Sequence, residues 1–155
     1  MTFEDIKTGD VKEVSELVWH VFNEFEAPEY RQEGIEEFKN FISPKNIITH
    51  LKTGQFFIIG CKIDDELIGV IAVRDNSHVS LLFVKKEYHR RGIARKLFNI
   101  ALKKSCSKDS TLQTITVNSS PYAVKIYERI GFESIDSEQE VNGIRFTPMK
   151  FTVIK

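Results

Sequence analysis

Between Val79 and Lys104 an apolar run, Val-Ser-Leu-Leu-Phe-Val, leads through a basic turn at His89-Arg90-Arg91-Gly92 into a segment with helical periodicity. There Ala94, Leu97, Phe98 and Ala101 form one stripe, while Arg95, Lys96, Asn99 and Lys103 turn outward. A strand that feeds such a helix through a tight turn packs it back onto a sheet, which commits this region to an α/β layer. The turn also has a chemical consequence. Backbone N–H groups converge at a helix N-terminus with the positive end of its dipole, and that combination is an anion site.

The remaining elements follow from spacing and breakers. Thr2–Lys7 reads as a short strand. After Gly9-Asp10, apolar residues from Val11 through Val14, Leu17, Val18 and Val21 to Phe25 recur every three or four positions, an amphipathic helix that Pro28 ends. A second helix is expected from about Tyr30 to Ile42, before Pro44. Gln55–Ile63 and Glu66–Arg74 are β-rich and joined by Asp64-Asp65, a hairpin signal, and His78–Val84 is the next strand. Thr111–Val117 is another β-branched run. Ser120-Pro121 then supplies an N-cap and a first helical residue. That helix carries Ala123, Ile126, Tyr127 and Ile130 on one face and stops at Gly131. Phe132–Ile135 and Ile144–Ile154 close the sheet around an Asn142-Gly143 turn. The order β-α-α-β-β-β-α-β-α-β-β predicts an α/β (α+β) fold, a mixed sheet with helices on both faces, in one domain over 1–155.

Composition narrows the function classes. The 22 basic and 22 acidic residues cancel, so no overall field draws the chain to nucleic acid or a membrane. No apolar stretch approaches the ~20 residues that span a bilayer. The acidic start, Met-Thr-Phe-Glu-Asp, is unlike a secretory signal, and a cytoplasmic location is expected. Cys61 and Cys106 lack metal-site spacing and read as small packing residues, so no metal is expected. Neither a Walker loop nor a Gly-x-Gly-x-x-Gly fingerprint occurs, which disfavours nucleotide hydrolysis and dinucleotide redox chemistry.

Two motifs in this order resemble the GNAT superfamily of acyl-CoA-dependent N-acetyltransferases. His89-Arg90-Arg91-Gly92-Ile93-Ala94 is similar to the family's pyrophosphate loop, with His89 in the place of Gln or Arg and Ala94 as the last small residue. Ser120-Pro121-Tyr122-Ala123-Val124-Lys125-Ile126-Tyr127, followed by Gly131-Phe132, is similar to the family's Asn-x-x-Ala-x-x-x-Tyr helix. Ser120 fills the usual Asn slot, and an Asn stands two residues earlier at Asn118. The resemblance implies a mostly antiparallel sheet of about seven strands that binds acetyl-CoA, with Arg90–Arg95 around the diphosphate and Asn118 or Ser120 near the pantetheine arm. It also implies that the main chain of Leu82, Phe83 and Val84 pairs with pantetheine and polarises the thioester carbonyl.

Side-chain chemistry fits two roles. A departing thiolate needs a proton, and the phenol of Tyr127, with a reference pKa near 10, can supply one without ionising at neutral pH. His78 stands where some family members carry a carboxylate base, and an imidazole near pKa 6.5 can accept a proton directly or through water. Strand parity places His78, Ser80, Leu82 and Val84 on one face. The expected reaction is direct attack of a primary amine, carried by a small molecule or a protein, on acetyl-CoA in a ternary complex. The alternative is a non-catalytic acyl-CoA sensor. Six acids, Glu24, Glu26, Glu29, Glu33, Glu36 and Glu37, stand against Arg31 between Phe22 and Phe38, and they read either as an attraction for a cationic amine or as solvated helix faces. Family resemblance leaves a homodimer through the C-terminal strands open.

Overall fold

The computed structural model describes residues 1–154. Strand β1 (Thr2–Asp5) is followed by α1 (Val11–Phe25), α2 (Gln32–Phe41) and α3 (Pro44–Lys52). Strands β2 (Phe56–Ile63), β3 (Glu66–Arg74) and β4 (His78–Val84) come next, then α4 (Ile93–Lys108), β5 (Thr114–Ser119) and α5 (Val124–Ile130). The chain ends in β6 (Glu133–Ser134), β7 (Gln139–Val141) and β8 (Ile144–Thr152). Among the described residues there are eight strands where about seven were expected, because the segment before Asn142 pairs with β8 as β7. Helix α3 was not anticipated. Ser43 caps it, its hydroxyl accepting from the Asn46 N–H, and Pro44 opens it at the first position rather than ending what came before.

The open, mostly antiparallel sheet runs β1-β2-β3-β4-β5-β8-β6, with β7 on β8. Apolar side chains of β2 alternate across it: Phe57, Ile59 and Cys61 face α4, while Ile58 faces the α1–α3 side. Each face therefore has its own core. One is built on Leu97, Phe98, Ile115 and Met149, the other on Val14, Val18, Phe22 and Ile47.

Two irregularities in β4 shape the centre of the molecule. Leu81 pairs with Ala72 and Val79 with Val73, so Ser80 is an extra residue without a register partner, a β-bulge. The bulge breaks the expected alternation. Val79 packs with Leu82 and Val84 into the core under α4, whereas Leu81 and Phe83 face α1. His78, Ser80, Leu82 and Val84 thus do not share a face, contrary to the parity argument, because one inserted residue inverts the pleat. The second irregularity is a split. Parallel pairing of β4 with β5 is limited to His78↔Thr116 and Val79↔Val117, after which the strands diverge.

Helix α2 is fastened over this split from the far end of the chain. A Cβ at Gly34 would lie 2.5 Å from the Gly143 carbonyl oxygen, so the two backbones touch where no larger residue fits. The Arg31 N–H donates to the same carbonyl at 3.1 Å, and the Arg31 guanidinium pairs with Glu140 at 3.1 Å.

Candidate active site

Where β4 and β5 part, a cavity of about 420 Å³ opens. β4 contributes His78, Ser80 and Leu82; β5 and the turn after it contribute Asn118 and Ser120; and Tyr127 reaches in from α5. Glu26, Tyr30 and Phe38 cover it from the α1–α2 side, and the β7–β8 hairpin adds Val141 and Asn142. The Ser80 hydroxyl is buried and has no hydrogen-bond partner among the described residues. An orphaned hydroxyl on a cavity wall suits a polar occupant.

Beside the cavity lies the turn into α4. Arg90 and Gly92 both have left-handed backbones, with φ of 63° and 74°. Nothing lies within 4 Å of where a Gly92 side chain would begin, so glycine serves conformation here and leaves the approach open. The first intrahelical bond closes from the Lys96 N–H to the Gly92 carbonyl, leaving the N–H groups of Ile93, Ala94 and Arg95 without helical partners, as at any helix start. Arg90, Arg91 and Gly92 are exposed. The shape and charge fit a diphosphate.

His89 braces this turn. Its Nε2 lies 2.7 Å from the Val84 carbonyl oxygen, and its ring packs on Phe25 with centroids 5.2 Å apart. The carbonyl of Val84 is thereby engaged within the protein. Arg95 is turned away: its guanidinium hydrogen-bonds the Arg129 carbonyl at the end of α5, so only its main chain faces the loop. Ser120 is buried, and its hydroxyl accepts from the Ala123 N–H at 3.2 Å; α5 nevertheless begins at Val124 with Ala123 as its N-cap, so Ser120-Pro121 forms the turn before the helix instead of capping and opening it. Asn118 is exposed at the rim.

A family model described as an acetyltransferase (GNAT) domain matches residues 26–153. The chain belongs to the GNAT acetyltransferase family. A GCN5-related N-acetyltransferase from Rhodopseudomonas palustris superposes on this GNAT protein with a TM-score of 0.82 at 15% identity, covering 98% of this chain and 95% of that one. PaiA N-acetyltransferase from Thermoplasma acidophilum, solved with coenzyme A, gives 0.78 at 18% identity over 99% and 100%. A chimera of spermidine N-acetyltransferase SpeG from Vibrio cholerae and hSSAT gives 0.65 at 20% identity over 97% and 94%. At such identities the likeness speaks for the fold alone. Comparison with curated protein sequences found no match.

Electrostatics separate the ionisable groups of this GNAT site. Burial pushes the Tyr127 hydroxyl well above the usual phenol range, and the nearby Glu26 and Tyr30 push it further. It therefore stays protonated at neutral pH. His78 is lowered to about 4, chiefly by burial and then by Arg74, with Asp75 opposing. Its imidazole is neutral at physiological pH, and its Nδ1 lies 2.8 Å from the Thr116 hydroxyl. Glu26 moves the other way: burial raises it to about 7, a hydrogen bond from Ser120 opposes the rise, and Glu29 adds to it. In the sequence Glu26 is one member of a diffuse acidic cluster. Its position two residues before Pro28, where α1 must end and the chain turns inward, was the available signal.

Proposed function

We propose that this GNAT acetyltransferase is an N-acetyltransferase that moves an acetyl group from acetyl-CoA to a primary amine by direct attack in a ternary complex. The observation that carries the reading is the split between β4 and β5, flanked on one side by the α4 amide cradle and on the other by Tyr127. The PaiA relative was solved with coenzyme A, which supports the same donor here. Main-chain groups at Gly92–Arg95 hold the diphosphate, Arg90 and Arg91 add positive charge, and the diverging edge of β4 from Leu82 to Phe83 receives the pantetheine amides. Asn118 and Ser120 line the opposite edge.

The amine nitrogen attacks the thioester carbonyl carbon, and the C=O electron pair moves to oxygen, held by β4 main-chain N–H groups. The intermediate collapses with C–S cleavage, and Tyr127 gives its proton to the sulfur. The acceptor is a small-molecule or protein amine. Acids on the α1–α2 side, Glu26 and Glu37 among the cavity walls, favour a cationic one. His78 contributes a neutral imidazole at the acceptor end.

Release of free thiol from acetyl-CoA, measured with spermidine, kanamycin and a lysine peptide, tests the reading. Thiol release that depends on an amine is expected. Tyr127→Phe should lower kcat by about 100-fold or more, the usual reach of a general acid, while calorimetric acetyl-CoA affinity stays near the native value. Failure of acetyl-CoA to bind at millimolar concentration would overturn the proposal.

A further inference from the structure

We propose that Glu26 is the group that takes the proton from the incoming ammonium, from the wall of the cavity it shares with Tyr127. The inference rests on the transferase reading above and deepens it.

Three observations place the carboxylate there. Glu26 lines the cavity together with Tyr127, Tyr30 and Ser120, although α1 and α5 are separated by almost the whole sheet in sequence. Ser120 stands on the same wall. Its oxygen accepts from the Ala123 N–H, which leaves its single proton to favour the carboxylate form of Glu26. The setting also lacks a counter-charge. The ion pairs of the described residues involve other carboxylates, and the groups acting on Glu26 are the Ser120 hydroxyl and the like charge of Glu29. A structural carboxylate is ordinarily paired when buried; one left unpaired against a cavity awaits a cation or a proton.

The other titratable groups around it fit this division of work. Glu29 and Tyr30 face it from the turn after α1, and Tyr122 and Tyr127 face it from the β5–α5 segment; burial holds all three phenols above their ordinary range. Arg90 and Glu24 act on the Tyr122 phenol in opposite directions. Glu37, Arg74 and His78 also line the cavity. His78 was the sequence-based choice for this task. Its conjugate acid, near 4, is too strong to hold a proton taken from an ammonium, whereas Glu26 near 7 lies close to the working pH.

The proton count balances. R–NH₃⁺ gives one proton to the Glu26 carboxylate, and the neutral amine forms the C–N bond. The nitrogen then loses its second proton as C–S breaks. Tyr127 protonates the thiolate and is reprotonated by that second proton through solvent. One proton leaves with Glu26, giving amide, thiol and H⁺.

The experiment is a pH profile of kcat/KM for thiol release, using whichever of spermidine, kanamycin and a lysine peptide the native protein acetylates. Native protein should show an acidic limb near 7. Glu26→Gln should lose about 100-fold at neutral pH, and its limb should move to the amine's own ionisation, near 10, because only amine already neutral in solution can react. His78→Gln should keep the limb near 7, whatever it does to the rate. Carboxyl ¹³C NMR, assigned by difference against Glu26→Gln, should show one glutamate titrating near 7. An active Glu26→Gln protein with an unmoved limb, or a Glu26 resonance titrating at an ordinary value, would overturn the assignment. Native protein that releases no thiol with any of these amines would overturn the transferase reading instead.

Discussion

Glu26 illustrates how one side chain sets function against stability. Its carboxyl is harder to ionise in the folded protein, at about 7, than in the unfolded chain, at 4.5. A raised folded pKa contributes stability that is fully present below the unfolded value and lost as pH rises through the folded one. Between pH 4.5 and 7 the native protein should therefore lose stability to this group. Glu26→Gln should be more stable by about 2 kcal/mol at pH 8 after solvent screening, and the advantage should vanish at low pH. Urea midpoints for both proteins at pH 4 and pH 8 check this. His78 has the opposite sign. Its pKa is lowered from 6.5 to about 4, so the stability it lends above pH 6.5 drains away as pH falls towards 4. His78→Gln should accordingly flatten the acid side of the stability profile.

At the scale of elements, the sequence was legible where a breaker had one meaning and obscure where it had two. The Asp64-Asp65 and Asn142-Gly143 turns have left-handed backbones at both positions, as their residue types announce. Ser120-Pro121, expected to open a helix, makes the turn ahead of α5, whereas Ser43-Pro44, the same dipeptide and expected to follow a helix end, caps and opens α3. Nothing local separates the two readings, because Pro both stops one helix and starts another. The β4 bulge was equally silent. Ser80 has no turn-forming signature, and its extra register position comes from pairing with β3. Glu26 is concealed for a related reason: Ser120, Tyr30 and Tyr127, which line the cavity with it, are brought near it only by the fold. The Gly34–Gly143 contact belongs here too. Gly34→Ala drives a methyl into the Gly143 carbonyl and should destabilise by about 1–3 kcal/mol. In the proposed reaction α2 covers the acceptor side, so the variant's amine KM should rise while acetyl-CoA affinity holds; calorimetry and steady-state kinetics separate the two.

For the whole molecule, one sheet carries a core on each face and narrows between β4 and β5 to a seam of two residue pairs. A ligand lodged in that seam binds only the folded state. At about 100 times its Kd, acetyl-CoA should add about 2.7 kcal/mol, a Tm rise of about 5–10 °C for a chain of this size. Desulfo-CoA should give most of that rise, since the diphosphate and the amides remain.

The parting of β4 from β5 has one more consequence. It exposes, inside the protein, a row of peptide groups of the kind that usually lies at a sheet margin and invites another extended chain to join. Most proteins hide such margins. Here the margin borders the cavity, open to a slender arm carrying amides of its own. The donor would then complete the weave as a missing thread, and its departure after each turnover would leave the fabric open again.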